Sequence, residues 1–215
     1  MQFELDLNHV KGLSLIIPKN DIRYYLKGLH FEAHKNDGFY LCATDGHRLA
    51  LIKNDNQQAN DAYSFIIPLE TITQLIKMMD KNNPIALLSY DKTENRIVIE
   101  YGGNMIRVAP IDGKFPDFRR IVPFAVSGDP GQYNSDYLAD FKKMANTINA
   151  TKNLDCYVKQ NGDFVAVVDI CAHKPEFNLY GMGLIMPLRK PDSVYADYAR
   201  PLWIDPKKPD LKAVA

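Results

Sequence analysis

Asp45 and His47 stand two positions apart and are the residues in this sequence nearest to acid–base chemistry. Such a pair catalyses only when a nucleophile or bound substrate lies within its hydrogen-bond reach. The sequence supplies no nucleophile positioned for them, so no catalytic residue and no enzymatic activity are expected. His30 and His34 are four apart. That spacing brings two imidazoles to one metal on a helix. Here it spans a strand and its turn, so both are expected as surface histidines and no metal is expected. Gly102-Gly103 is too short to cradle a phosphate and reads as a hairpin turn. Cys42, Cys156 and Cys171 are odd in number and widely separated. They predict neither a disulfide framework nor a zinc site, and they point to a reducing compartment. No cofactor is expected.

Charge narrows the partners further. The 26 basic and 26 acidic residues balance to zero. A protein that grips DNA by neutralising phosphates is usually basic overall. Any DNA contact here is therefore confined to one face, or is topological. Composition is that of an ordinary globular chain, and 215 residues suffice for a real core. The N-terminus has no basic stretch leading into an apolar run, and nothing approaches the ~18 apolar residues of a membrane span. A cytoplasmic protein with no membrane partner is expected.

The elements that would position any binding residue repeat in a pattern of strand, helix and turn-linked strands. The middle copy is the clearest. SFIIPLE is a strand, and Leu69, Ile72, Leu75, Ile76 and Met79 then recur at helical spacing until Pro84. PIALLSY, NRIVIEY and MIRVAPI follow as alternating strands. In the third copy, Asn134 and Ser135 are candidate N-caps for the helix DYLADFKKMANTI. Strands LDCYVKQ and FVAVVDI flank Asn161-Gly162, and a polar turn near His173–Asn178 leads into LYGMGLIMPL. In the first copy QFELDL reads as a strand. HVKGLSLII reads as a helix that Gly12 weakens by roughly 1 kcal/mol relative to Ala. IRYYLKGLHFEA and GFYLCAT flank the hairpin signal Asn36-Asp37-Gly38. Copies recur every roughly 60–70 residues, the scale of supersecondary repeats. Residues 111–131 read as a connector, and the proline-rich stretch after Arg189 as an extended tail.

ATDGHRLAL (43–51), preceded by IRYYLKGLHFE (22–32), resembles the middle domain of the bacterial DNA polymerase III beta-subunit family, the beta sliding clamps. IDGKFPDFRRIVP (111–123) resembles the connector leaving that domain, and GLIMPLR (183–189) the family's C-terminal end. The motifs occur in family order and span most of residues 1–190. The resemblance implies an α+β DNA-clamp fold, with antiparallel sheets and short helices on one face, here as three strand–helix–strand units. It implies a complete clamp domain over 1–122, a half domain over 123–190 resembling the second half of the family's last domain, and a tail over 191–215. A family chain holds six such units, so this is expected to be a shortened homologue, of the kind a phage or plasmid encodes.

The function so implied is that of a replication processivity factor. It would tether a DNA polymerase or another replication protein carrying a clamp-binding motif. The implied groove uses Thr44, Gly46, His47, Arg48 and Leu49, then Pro116, Arg120 and Ile121, then Leu184, Met186, Pro187, Leu188 and Arg189. The apolar members would form a slot for a leucine or aromatic anchor, methionine adapting to several shapes. Arg48, Arg120 and Arg189 would meet peptide carbonyls or an acidic residue. Lys11, Lys77, Lys81, Lys142 and Lys143 lie on or beside the three helices and are the candidates to face double-stranded DNA without reading sequence. The alternative is a non-encircling adaptor or competitor that captures clamp-binding motifs. Assembly stays open between a homo-oligomer closing a ring, a two-fold dimer, and a monomer whose tail covers the unpaired unit. Trp203 in the tail would pack on the protein's own surface, or the tail would enter a groove.

Overall fold

In a computed structural model of the protein, residues 1–171 and 179–189 are described. The turn expected at His173–Asn178 and the tail expected from 191 lie outside the described residues. The chain runs β1 (Gln2–Asp6), α1 (Leu7–Leu13), β2 (Gly28–Ala33), β3 (Phe39–Thr44), β4 (Arg48–Asn54), β5 (Tyr63–Pro68), α2 (Leu69–Met78), β6 (Ile85–Asp91), β7 (Arg96–Tyr101), β8 (Asn104–Val108), α3 (Ser135–Ile148), β9 (Val158–Lys159), β10 (Ala166–Asp169) and β11 (Leu179–Ile185). This is the α+β arrangement of antiparallel sheets and short helices that was expected. Among the described residues no helix is long and apolar enough to cross a membrane.

Helix starts follow capping chemistry. The Asp6 carboxylate accepts the Asn8 N–H at the start of α1, and the Asn134 side-chain oxygen accepts the Asp136 N–H at the start of α3. On α2 the apolar stripe buries Ile72 and Leu75. Asn36, Gly102, Gly103 and Gly162 take the positive φ angles that the hairpin signals demand.

Two sheets result. One has the order β1-β6-β7-β8, the other β5-β2-β3-β4-β11-β10-β9. The first strands of units one and two are exchanged: β1 pairs with β6, and β5 pairs with β2. Unit three joins differently. β11 lies antiparallel to β4, from Leu179 opposite Asn54 to Ile185 opposite Arg48.

Alternation gives the seven-stranded sheet two apolar faces. Leu29, Phe31, Leu41, Ala50, Ile52, Ala166, Val168 and Ile185 point to the helices, in a core shared with Phe3, Leu13, Phe141, Met144 and Ile148. Phe3 sits edge-on to Phe31, Phe39 and Tyr63. The opposite face carries Cys42, Leu49, Leu51 and Leu184, closed over by Leu26 and by Phe115 and Phe118 of the connector. The connector is thus a covering layer of the sheet.

Two strands are shorter than their sequence patterns. Residues before Gly28 leave the strand because the Asp21 carboxylate takes both the backbone N–H and the guanidinium of Arg23, turning Tyr24–Leu26 into a 3-10 turn. β9 is reduced to Val158–Lys159 because the segment before it is tied to α3. Leu154 N–H donates to Asn146 Oδ1, and the Cys156 thiol reaches the Phe141 carbonyl. His30, expected at the surface, is buried, whereas His34 is exposed. Alternation places His30 on the outer face of β2, where Phe115 stacks on its ring at 4.6 Å.

Candidate binding groove

The turn between β3 and β4 is braced from within. The Thr44 hydroxyl donates to the Arg48 carbonyl at 2.7 Å and accepts the Gly46 N–H at 3.0 Å. The Asp45 carboxylate accepts the backbone N–H groups of His47 and Arg48. Gly46 has φ +90°, and a Cβ there would stand 2.6 Å from the Arg23 guanidinium, which also donates to the Asp45 carbonyl. Asp45 and His47 are therefore parts of a tight turn rather than an acid–base pair.

The ladder between β4 and β11 brings the two distant motifs side by side. Leu49 faces Leu184, and Met186 N–H donates to the His47 carbonyl at 2.9 Å. Thr44, Leu49 and Leu184 are buried and form the floor, while Arg48, one position before Leu49, is buried toward the helices. Met186 and Leu188 stand about half exposed above it, with Pro187 between them partly covered. Leu188 N–H is held by the Gln132 carbonyl, just before α3. From the connector, Val122 packs against the floor cluster and Ile121 is exposed beside it in sequence. Arg120 and Arg189 are exposed, as are Gly46 and His47.

Two expected groove residues have other surroundings. Arg48 is not free to meet a peptide. Its guanidinium donates to Asp45 at 2.9 Å and Asp140 at 2.8 Å and lies 4.2 Å from the Tyr137 ring centre. Both partners are acids of its own chain: Asp45 belongs to the turn, α3 carries Asp140 to it, and burial leaves the cation no solvent alternative. Pro116 is exposed, and it borders a depression of about 930 Å³ beside His30, Glu32 and Arg119. Tyr137 is not among the residues the sequence points to. Its ring lies 6.4 Å from His47, on the helix side of the turn. Its place on the first turn of a capped helix was the available signal.

The lysines divide. Lys11, Lys81, Lys142 and Lys143 border one depression of about 750 Å³ between the helices, together with Lys152, and no acidic residue lines it. Lys142 also reaches Asp155 at 3.5 Å. Lys77 lies apart, in a shallow hollow with Lys19 and Glu70. Among the described residues no cluster of histidine, cysteine or acidic side chains could hold a metal.

Comparison with known proteins places this geometry. The family profile described as DNA polymerase III beta subunit, central domain, matches residues 7–117. The beta sliding clamp of Proteus mirabilis is 35% identical over 114 residues, covering 53% of this chain and 30% of that protein. The beta sliding clamp of Escherichia coli K12 is 35% identical over 115 residues, with the same shares covered. The chain thus matches less than a third of the length of these relatives. Among solved structures, the DNA polymerase sliding clamp from Bacillus subtilis superposes with a TM-score of 0.66 at 14% identity, covering 88% of this chain and 64% of that one. The DNA polymerase III beta subunit from Thermotoga maritima gives 0.62 at 16% identity, covering 89% and 66%. At these identities the superpositions establish the clamp fold.

Proposed function

Because the chain belongs to the DNA polymerase III beta-subunit family, we propose that it is a clamp-like replication factor. It holds a DNA polymerase or another replication protein by a short peptide seated across β4, β11 and the end of the connector. The supporting observation is the β4–β11 ladder. It sets Leu49 against Leu184 and leaves Met186 and Leu188 exposed beyond a buried apolar floor, on which Val122, the neighbour of exposed Ile121, packs. An apolar floor rimmed by exposed anchors and by Arg120 and Arg189 suits an extended peptide with a leucine or aromatic anchor.

Residues 1–122 act in this reading as a complete clamp domain and 123–190 as a half domain that supplies the second wall. The lysine-lined depression between the helices faces DNA and binds phosphate without base recognition. Lys11, Lys81, Lys142 and Lys143 carry that contact, and Lys77 stands apart from it.

The deciding experiment measures the affinity of a fluorescent peptide with leucine and aromatic anchors. Met186→Glu places a charge on the apolar rim and weakens binding about thirty-fold or more, the scale of a lost hot-spot contact. Unchanged affinity in the folded variant would remove Met186 from the site and the groove with it.

A further inference from the structure

We propose that Glu32 is the positioning residue of the groove: it clasps the connector to β2 and so fixes where Arg120 and Ile121 stand. The inference rests on the groove reading above and adds a residue lying outside the groove itself. Glu32 is on the outer face of β2, two positions from His30. Its side chain is 15% exposed and accepts from three groups at once. His30 Nε2 lies at 3.2 Å from one oxygen; His34 Nε2 at 2.5 Å and the Arg119 guanidinium at 2.9 Å approach the other. Burial opposes ionisation of Glu32, but the hydrogen bonds from Arg119, His30 and His34 outweigh it and hold the carboxyl below its ordinary range.

Arg119 is the connector's half of the clasp. Its guanidinium lies 4.4 Å from the Phe118 ring centre and 5.1 Å from that of Tyr40 on β3. Phe115 stacks on His30, and Phe118 is buried in the outer core. These apolar contacts hold the connector against the sheet but leave it able to slide, since stacking and burial are only weakly directional. The charged hydrogen bonds at Glu32 are directional and set the register. Arg119 immediately precedes Arg120 and Ile121 in the chain. A slip at residue 119 therefore displaces the groove's rim directly, and a preformed rim spares the peptide the cost of ordering it.

The test uses the full chain with two readouts, peptide affinity and hydrogen–deuterium exchange of the amides at 118–122 in the free protein. Glu32→Gln keeps the shape and removes the charge. Arg119→Gln, at a half-exposed side chain, is the second variant and does not depend on a tolerant interior. Both are expected to speed exchange at 118–122 and weaken the peptide roughly ten-fold, while Arg119→Lys recovers much of both. Unchanged exchange and affinity in Glu32→Gln, or a lowered melting temperature with affinity intact, overturns the proposal. Met186→Glu separates it from the groove reading. If that variant still binds peptide, the groove is elsewhere, and the exchange data alone decide whether Glu32 positions the connector.

Discussion

Units one and two of this chain are joined in one way, and units one and three in another. The first two trade their opening strands: β1 crosses to the sheet of unit two, and β5 crosses back to β2. Unit three trades nothing. Among the described residues no strand lies between β8 and α3, and β9 stands at the end of its sheet. Unit three instead prolongs the sheet of unit one through β11 and sets α3 beside α1. The same kind of unit thus completes its core by exchange in one place and by extension in the other. The exchanged strands β1 and β5 each end a sheet, and extension places another outer edge at β9. The division of the sequence into domains does not follow the division of the structure into sheets, because the boundary between the two expected domains runs through the middle of one sheet.

If extension joins unit three as firmly as exchange joins unit two, damage on either side is felt by the whole. Phe141 on α3 and Phe3 on β1 are both buried in the shared core. Phe141→Ala and Phe3→Ala are each expected to cost about 3–5 kcal/mol. In urea, circular dichroism should show a single transition shifted to lower denaturant in both. A separate early transition in Phe141→Ala alone would mean that unit three is an appendage.

The helix seam gives a smaller effect. Gly12 lies where α1 meets α3, and a Cβ there would stand 2.6 Å from Ile148 Cγ1. Gly12→Ala gains about 1 kcal/mol of helix propensity but overpacks the seam at a cost of about 1–3 kcal/mol. The expected outcome is net destabilisation, read as a lower urea midpoint. A stabilised variant would show that the seam is loose.

The smallest effect is on pH. His9 at the seam and His30 beneath the connector both have pKa values lowered, foremost by burial. Between those lowered values and the ordinary 6.5, the unfolded chain binds protons that the folded one refuses. Stability therefore falls as pH drops below about 6.5, at most by about 1.4 kcal/mol per pH unit for each histidine. His9→Gln should flatten the slope at the seam, and urea midpoints at pH 7 and 5.5 measure the difference.

Local chemistry was legible in the residues and long-range contact was not. The Ile72–Leu75 stripe, the Asn134 cap and the glycine turns announce themselves within a few positions. In the sequence Gly12 is a weak point in a helix, and its reason lies across the seam at Ile148, 136 positions on. Arg48 looked available because nothing near it in sequence shows that Asp140 will arrive. His30 looked exposed because alternation alone cannot say that a connector will cover the outer face. The paired aromatics Phe115 and Phe118, set among the polar residues of 112–120, are the clue. The groove's two sides could be joined only by resemblance to a family, since no periodicity links Leu49 to Leu184.

The ladder between β4 and β11 also sets a timetable. During synthesis β4 is complete long before β11 exists, and at roughly 5–20 residues per second the wait lasts on the order of ten seconds. Through that interval β4 is a bare edge carrying Leu49 and Leu51. The nascent chain therefore spends that interval with one side of its own groove as an unpaired strand edge.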